Sequence, residues 1–325
     1  MPTAFYHVPV LRDEVVATLG PGSGSLLVDC TIGAAGHGAA LLDAAGHGAR
    51  LLGLDRDPVA LRAAREALAG FGDAVMLVEA RFSQVPEVME RERFGRWSRG
   101  AWRVDAVLAD LGVSSEQFDR PERGFSHSRS GPLDMRMGDS GETAAELIER
   151  LSEGELADVF WRYGDISQSR RLARAVKAAS AEGSLATTGA LSDLIHRVLG
   201  SGRRSHNPST LPFQALRIAV NDELSELESL LDVIPRLLDL GGVAGIVTFH
   251  SLEDRLVKKR FQRLTTVEAP PRGLPVRGDG ARAAFEWVER GATASEAEMH
   301  DNPRARSARL RAIRRVSWGD STDAT

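Results

Sequence analysis

Cysteine is almost missing from this chain: Cys30 is the only one among 325 residues. No intrachain disulfide can form. An iron–sulfur cluster wants about four thiolates, and a structural zinc site wants several Cys and His together. The histidines are scattered without an HExxH pair, so no metal site is expected. Long apolar runs are missing too, and nothing approaches the ~20 residues that span a bilayer. The opening MPTAFYHVPVLRDEV places Arg12, Asp13 and Glu14 where a secretory signal is apolar, which favours a cytoplasmic location and no membrane partner. An excess of positive charge is also missing. A net charge of −4 argues against a protein that coats nucleic acid at large.

The remaining composition is that of a folded α/β protein. With 42% hydrophobic and 26% charged residues the chain reads as globular, and its length exceeds one ordinary domain. Four strand candidates come early: LLVDC (26–30), RLLGLD (50–55), AVMLVEA (74–80) and VDAVLADL (104–111). Between them lie a short helix, HGAALLDAAG (37–46), and an amphipathic one, PVALRAAREALAGF (58–71), with Pro58 in its first turn. The fifth strand, GGVAGIVTFHS (241–251), arrives only after about 130 residues, where a crossover needs ~30. The excess is helical in period over 144–164, 169–183 and 190–200. Residues 113–206 are therefore expected to form an inserted helical domain, with 1–112 and 207–325 making a discontinuous sheet domain. The span 210–238 reads as two helices returning to the sheet layer. Past residue 264, Pro and Gly mark a loop, and FEWVER (285–290) reads as a strand.

Strand one ends on Asp29 and runs into CTIGAAGHG (30–38). Its glycines, Gly33, Gly36 and Gly38, let backbone approach a ligand and turn into a helix. Their order is Gly-x-x-Gly-x-Gly, not the Gly-x-Gly-x-x-Gly of dinucleotide binders. An acidic strand end ahead of this loop repels a pyrophosphate and suits a ligand with a positive amino group, such as S-adenosylmethionine. Asp55, ending strand two, can accept hydrogen bonds from both ribose hydroxyls. Phe82, after strand three, either packs on an adenine face or belongs to the core.

Strand four ends on Asp110 and breaks at Gly112. In open α/β sheets the ligand crevice lies beyond the carboxyl ends of the strands, so Asp110 is placed to meet a reacting atom. Methylation at carbon 5 of a pyrimidine needs a thiolate nucleophile, and Cys30 lies in the cofactor half. Direct in-line transfer to nitrogen or oxygen remains. A carboxylate accepting N–H bonds from an exocyclic base amine favours the attacking form of that amine. The Pro-Pro-aromatic run common in such enzymes is absent, since Leu111, Gly112 and Val113 follow Asp110. Phe118 and Phe125 are alternative stacking rings, or hydrophobic packing at the domain junction.

Charge is uneven along the chain. NPRARSARLRAIRR (302–315) holds six arginines and no acid, and DRLVKKRFQR (254–263) holds five basic residues against Asp254. Such patches either meet a phosphate-bearing surface or are solvated faces and tail.

The sequence words DLGVSS (110–115), RGFS (123–126), GPLDMRM (131–137), FQALRIAVNDEL (213–224), TFHSLEDR (248–255) and NPRARS (302–307) occur in one order. With HVPVL (7–11) they extend over nearly the whole chain, which thereby resembles the bacterial ribosomal RNA small subunit methyltransferase H family. The resemblance implies a Rossmann-like class I S-adenosylmethionine-dependent methyltransferase sheet with an inserted, mostly helical domain. It implies methylation of the N4 amine of a decoding-region cytidine in 16S rRNA, within the small ribosomal subunit. A homodimer is compatible with it. The implied cofactor positions are Ala35, Gly36, His37, Asp55, Phe82, Asp110 and Gln117, with Asp110 also catalytic. Phe125, Arg136 and His250 are candidate substrate contacts. Position 35 departs from the family's Gly-Gly-His, and alanine is tolerable there if its φ is negative. His37 either bonds the methionine carboxylate or caps the helix, and the family favours the former. His250 either reaches the base or is a satisfied strand-end histidine. Competing functions are amino methylation of DNA, RNA binding without turnover, and dinucleotide oxidoreduction.

Overall fold

A computed structural model describes residues 9–200, 207–267 and 283–318. The start of HVPVL, the stretch 201–206 and most of the Pro- and Gly-bearing loop after 264 lie outside the described residues. The chain divides into two compact units, Met1–Gly112 with Glu226–Thr325, and Val113–Ser225.

The first unit holds an eight-stranded sheet. Its strands are β1 (Leu26–Asp29), β2 (Arg50–Asp55), β3 (Val75–Glu79), β4 (Arg96–Ser98), β5 (Ala101–Asp110), β6 (Leu238–Thr248), β7 (Phe285–Ala292) and β8 (Arg309–Arg315). They lie in the order β3-β2-β1-β5-β6-β8-β7, with β4 paired to β5 as a hairpin. The pairs from β3 through to β6 are parallel, and β8 runs antiparallel to both β6 and β7. The chain moves outward from β1 to β3, then restarts on the other side of β1 with β5. The switch point therefore falls between β1 and β5, where a crevice opens beyond the strand ends.

Burial on both faces explains the near-continuous apolar strands. Leu27, Leu51, Ala106 and Leu108 face one core with α1 (Arg12–Leu19), α2 (Gly36–Ala45) and α3 (Pro58–Ala67). Val28, Leu52, Val107 and Ala109 alternate with them. They face the other core, with α4 (Val85–Glu92), helix residues Leu227–Leu237, and Val257 and Phe261 further on. Strand β5 begins at Ala101, earlier than the expected 104, because the β4 hairpin extends it.

The second unit is helical: α5 (Ser115–Asp119), α6 (Ala144–Arg150), α7 (Glu153–Gly164), α8 (Ser169–Ala181), α9 (Thr188–Leu199) and α10 (Thr210–Asn221). Thr143 and Ser152 cap α6 and α7 through reciprocal bonds with Glu146 and Glu155. This unit runs on to Ser225, past the boundary at 206 expected from sequence. The reason is α10, whose Phe213, Ala215 and Leu216 join the helical core with Phe160, Leu172 and Leu191. The unit boundary falls in the first turn of α11 (Glu223–Leu237), so only α11 returns to the sheet. After β6 come α12 (Ser251–Leu264) and α13 (Glu296–Asp301). Among the described residues no helix is long and apolar enough to cross a membrane.

Candidate active site

The β1–α2 loop is tied to its neighbours by side-chain bonds. Asp29 Oδ1 accepts from Thr31 N at 3.1 Å, and Asp55 Oδ2 accepts from Gly33 N at 2.9 Å. Gly33 adopts φ +52°, a conformation glycine takes without strain. Gly38 serves packing instead, because a Cβ there would lie 2.7 Å from Ile32 Cδ1 and 2.9 Å from Leu51 Cδ2. Ala35 corrects an expectation. Its φ is +66° with its side chain fully buried, so the methyl at this position sits in left-handed backbone. That conformation costs an L-residue about 1 kcal/mol, offset here by apolar packing against the first core.

At the switch point, Thr31 Oγ1 accepts the Asp110 N–H at 2.6 Å, which fixes the end of β5 against the loop after β1. The sequence reasoning missed Thr31, although its place two residues beyond a strand-end aspartate was a usable signal. Across the crevice, the buried His37 ring points its Nε2 at Asp110 Oδ2, 3.5 Å away. It does not cap its own helix. Neither ring nitrogen of His37, nor Asp110 Oδ1, finds a hydrogen-bond partner, and all three atoms are buried. Unpaired buried polar atoms are costly and rare in folded proteins, so their occurrence on both members of the His37–Asp110 pair marks a place shaped for a ligand.

Electrostatics sharpen that inference. Burial pushes the Asp29 carboxyl up to about 7, helped by the nearby charges of Asp110 and Asp55 and opposed by His37. Burial raises Asp55 to about 6, against the backbone N–H groups of Asp57 and Gly33. For His37, burial disfavours the charged ring, but close Asp110 and the Asp29 charge outweigh it and raise its pKa. Asp110 and Asp29 beside His37, with Asp55 near Asp29, make a crevice that rewards a cationic ligand. Both Asp55 oxygens already accept backbone bonds, from Gly33 and Asp57. Each carboxylate oxygen has a second lone pair, so a ribose hydroxyl can still be held. Gly36, first in α2, packs on Pro9. Phe82 is half-buried against the second core.

The remaining site candidates have structural partners. Gln117, in the second unit, closes a capping box with Ser114 and donates to the Met137 carbonyl at 3.3 Å. Arg136 is held bidentate by Asp134 at 2.8 and 2.9 Å. Phe125 is 6% exposed in the helical core, where its ring packs against apolar neighbours, and Phe118 is half-buried against that core. His250 caps α12 through Glu253 N, while Glu253 Oε2 accepts from Phe249 N and His250 N. That turn shapes the end of β6 beside Asp110, whose register partner is Val247.

The two basic segments part company. Arg255, Lys258, Lys259 and Arg263 are exposed on α12. The other segment is no tail: it includes β8, where Arg311 pairs with Asp254 at 2.7 and 3.0 Å and Arg315 is buried.

Curated proteins named ribosomal RNA small subunit methyltransferase H align over nearly all of this chain. One from Anaeromyxobacter sp. (strain Fw109-5) is 47% identical over 316 residues, covering 96% of this chain and 98% of that protein. One from Sorangium cellulosum (strain So ce56) is 46% identical over 322 residues, covering 98% and 94%. One from Rhodospirillum centenum (strain ATCC 51521 / SW) is 44% identical, covering 96% and 92%. A model described as the MraW methylase family matches residues 4–316, and to that family this chain belongs.

Proposed function

We propose that this protein transfers a methyl group from S-adenosylmethionine to the N4 amine of a cytidine in the decoding region of 16S rRNA. The observation that carries the proposal is the pair His37–Asp110 at the switch point, with unsatisfied buried atoms on both side chains. The cofactor, when bound, supplies an electrophilic methyl carbon on a sulfonium sulfur. Asp29, Asp55 and Asp110 offer the negative surroundings a sulfonium and an α-amino group require, and His37, charged more readily than an ordinary histidine, suits the α-carboxylate. The Gly33–Ala35–Gly36 backbone and Phe82 complete our assignment of the cofactor's residues.

Asp110 has a second task in this scheme. A cytosine amine is a poor nucleophile because its lone pair is delocalised into the ring. One Asp110 oxygen accepting an N4–H draws that lone pair out of conjugation, and stabilises the charge that develops as nitrogen takes on the methyl. The nitrogen then gives up that proton through the same carboxylate, which is part-exposed, to solvent. The Asp110 carboxylate is pre-set for this by Thr31, which anchors its backbone, so little reorganisation is needed. We assign the target to the small ribosomal subunit, with the exposed cations of α12 contacting phosphate and the enzyme located in the cytoplasm where subunits are assembled. Gln117, Phe125 and Arg136 then act through the shape of the helical unit, and a homodimer is compatible with this scheme.

The test is mass spectrometry of 16S rRNA from cells carrying wild-type or Asp110→Asn protein, paired with calorimetry. Wild-type protein should place one methyl on N4 of a decoding-region cytidine. Asp110→Asn should lower the rate at least about a hundredfold while keeping measurable cofactor binding. Wild-type rRNA without that methyl would sink the proposal, and an unaffected Asp110→Asn rate would remove the role given to Asp110.

A further inference from the structure

The opposite end of the same sheet, where β5 begins, carries a second surface that the methyl-transfer site does not use. Strands β4 and β5 are joined by Arg99 and Gly100 alone, with Ser98 paired to Ala101. Both linking residues have positive φ, +51° and +75°, the pattern of a type I′ turn. Arginine is an unfavourable choice there, since left-handed backbone strains any residue with a Cβ. Its guanidinium lies 5.0 Å from the centroid of the Trp318 ring. Trp318 also receives Arg103 at 4.6 Å and Arg315 at 4.7 Å, which fix this edge from inside.

On the outside of the hairpin, Trp97 is 61% exposed, the most exposed large apolar side chain among the described residues of the first unit. It is held edge-on by Trp102, ring centroids 5.5 Å apart, so its face is presented without free rotation. Leu240 and Val316, also exposed, stand at the same sheet edge by strand register. The hairpin and its approach, residues 91–105, carry five arginines and two acids. Glu92 pairs with Arg91, Asp105 pairs with Arg96 at 2.7 Å and Arg103 is buried, which leaves Arg93 and Arg99 as the exposed cations beside Trp97. An exposed tryptophan flanked by two exposed arginines, on a chain of net charge −4, is complementary to one class of partner. Unpaired bases stack on exposed aromatic faces while flanking guanidiniums take the phosphates.

We propose that the β4–β5 hairpin is a docking surface for a single-stranded or looped rRNA segment, with Trp97 stacking on a base and Arg93 and Arg99 contacting phosphates. It lies at the far end of β5 from Asp110, about 30 Å along the strand, so it engages RNA distant from the target nucleotide. This rests on the rRNA substrate proposed above and adds to it a remote anchor. A hairpin already held in shape loses little freedom on binding, which favours anchoring over induced fit.

The test measures affinity for isolated small subunits, the salt dependence of that affinity, methyl transfer at saturating subunits, and sedimentation. Trp97→Ala should weaken subunit binding about tenfold, and Trp97→Phe should stay within about threefold of wild type. Arg99→Ala should reduce the salt slope by about one. All three should bind S-adenosylmethionine as wild type does and keep the saturated rate, which shows the sheet intact. Wild-type subunit affinity in Trp97→Ala overturns the proposal, and does so in favour of a second copy of this chain if that variant also turns a dimer into a monomer. If wild-type protein methylates no subunit while the Trp97 effect on subunit binding persists, the methyl-transfer assignment fails and this surface stands.

Discussion

The two ends of the central sheet carry opposite charge, and burial treats the two charges differently. At the carboxyl end, Asp29 and Asp110 lie beside His37 and Asp55 lies near Asp29, and burial raises two of the three carboxyls into the range of 6 to 7. At the amino end, Arg103 is equally buried, yet its guanidinium donates to the carbonyls of Ser98, Pro235, Arg236 and Leu238. Three of these lie where α11 ends, so the helix dipole adds to the attraction. Buried charge is satisfied at one end and left wanting at the other. The wanting end is where a ligand has something to contribute.

That contrast predicts opposite responses to removing a charge. The largest effect is expected at the satisfied end. Arg103→Met should lower the free energy of unfolding by about 3 kcal/mol in urea titration, since it strips donors from buried carbonyls and a cation from Trp318. A loss below about 1 kcal/mol would mean the guanidinium contributes little and the contrast is false. At the wanting end, Asp29→Asn should stabilise the cofactor-free protein by about 2 kcal/mol at pH 8 and weaken S-adenosylmethionine binding. The amide still offers an oxygen to Thr31 N.

The same residue sets a pH dependence. The folded state holds the Asp29 proton up to about pH 7, whereas the unfolded chain releases it near the ordinary carboxyl value of 3.8. Between those values the folded state binds more protons, so this group's contribution to stability falls as pH rises through the window. The raised pKa of His37 acts in the same direction. Urea midpoints measured from pH 4 to pH 8 should decline in wild type more steeply than in Asp29→Asn, and parallel curves would remove the assignment. The smallest effect belongs to Ala35→Gly. Relief of left-handed strain and loss of a buried methyl nearly cancel, so the change should stay within about 1 kcal/mol.

Much of this was legible in the sequence because it depends on local pattern. Arg50–Asp55 was readable as a strand since an apolar run bounded by charge leaves few alternatives, and its end fixed Asp55. Asp110 was readable for the same reason. The contacts that give these carboxyls their character were not. His37 meets Asp110 only through the sheet, and nothing in an alanine at position 35 announces a positive φ. Strand β8 was hidden by its own arginines. Alternation signals a strand only when polar residues face water, and Arg311 and Arg315 face inward because Asp254 and the Phe285 ring receive them. The end of the insertion was misplaced because α10 is amphipathic toward the helical core, and period alone does not say which core a helix joins.

The position of β8 also governs when the protein can fold. It lies between β6 and β7, yet it is synthesised after both. Until residues 309–315 emerge, β6 has an unpaired edge, β7 has no neighbour in the sheet, and Asp254 lacks its guanidinium. The crevice beside Asp110 borders β6 directly, so its final shape waits on that late insertion. A nascent chain of this protein thus stays incompetent until β8 is made, with the β6 edge exposed from the synthesis of residue 248 until residues 309–315 emerge.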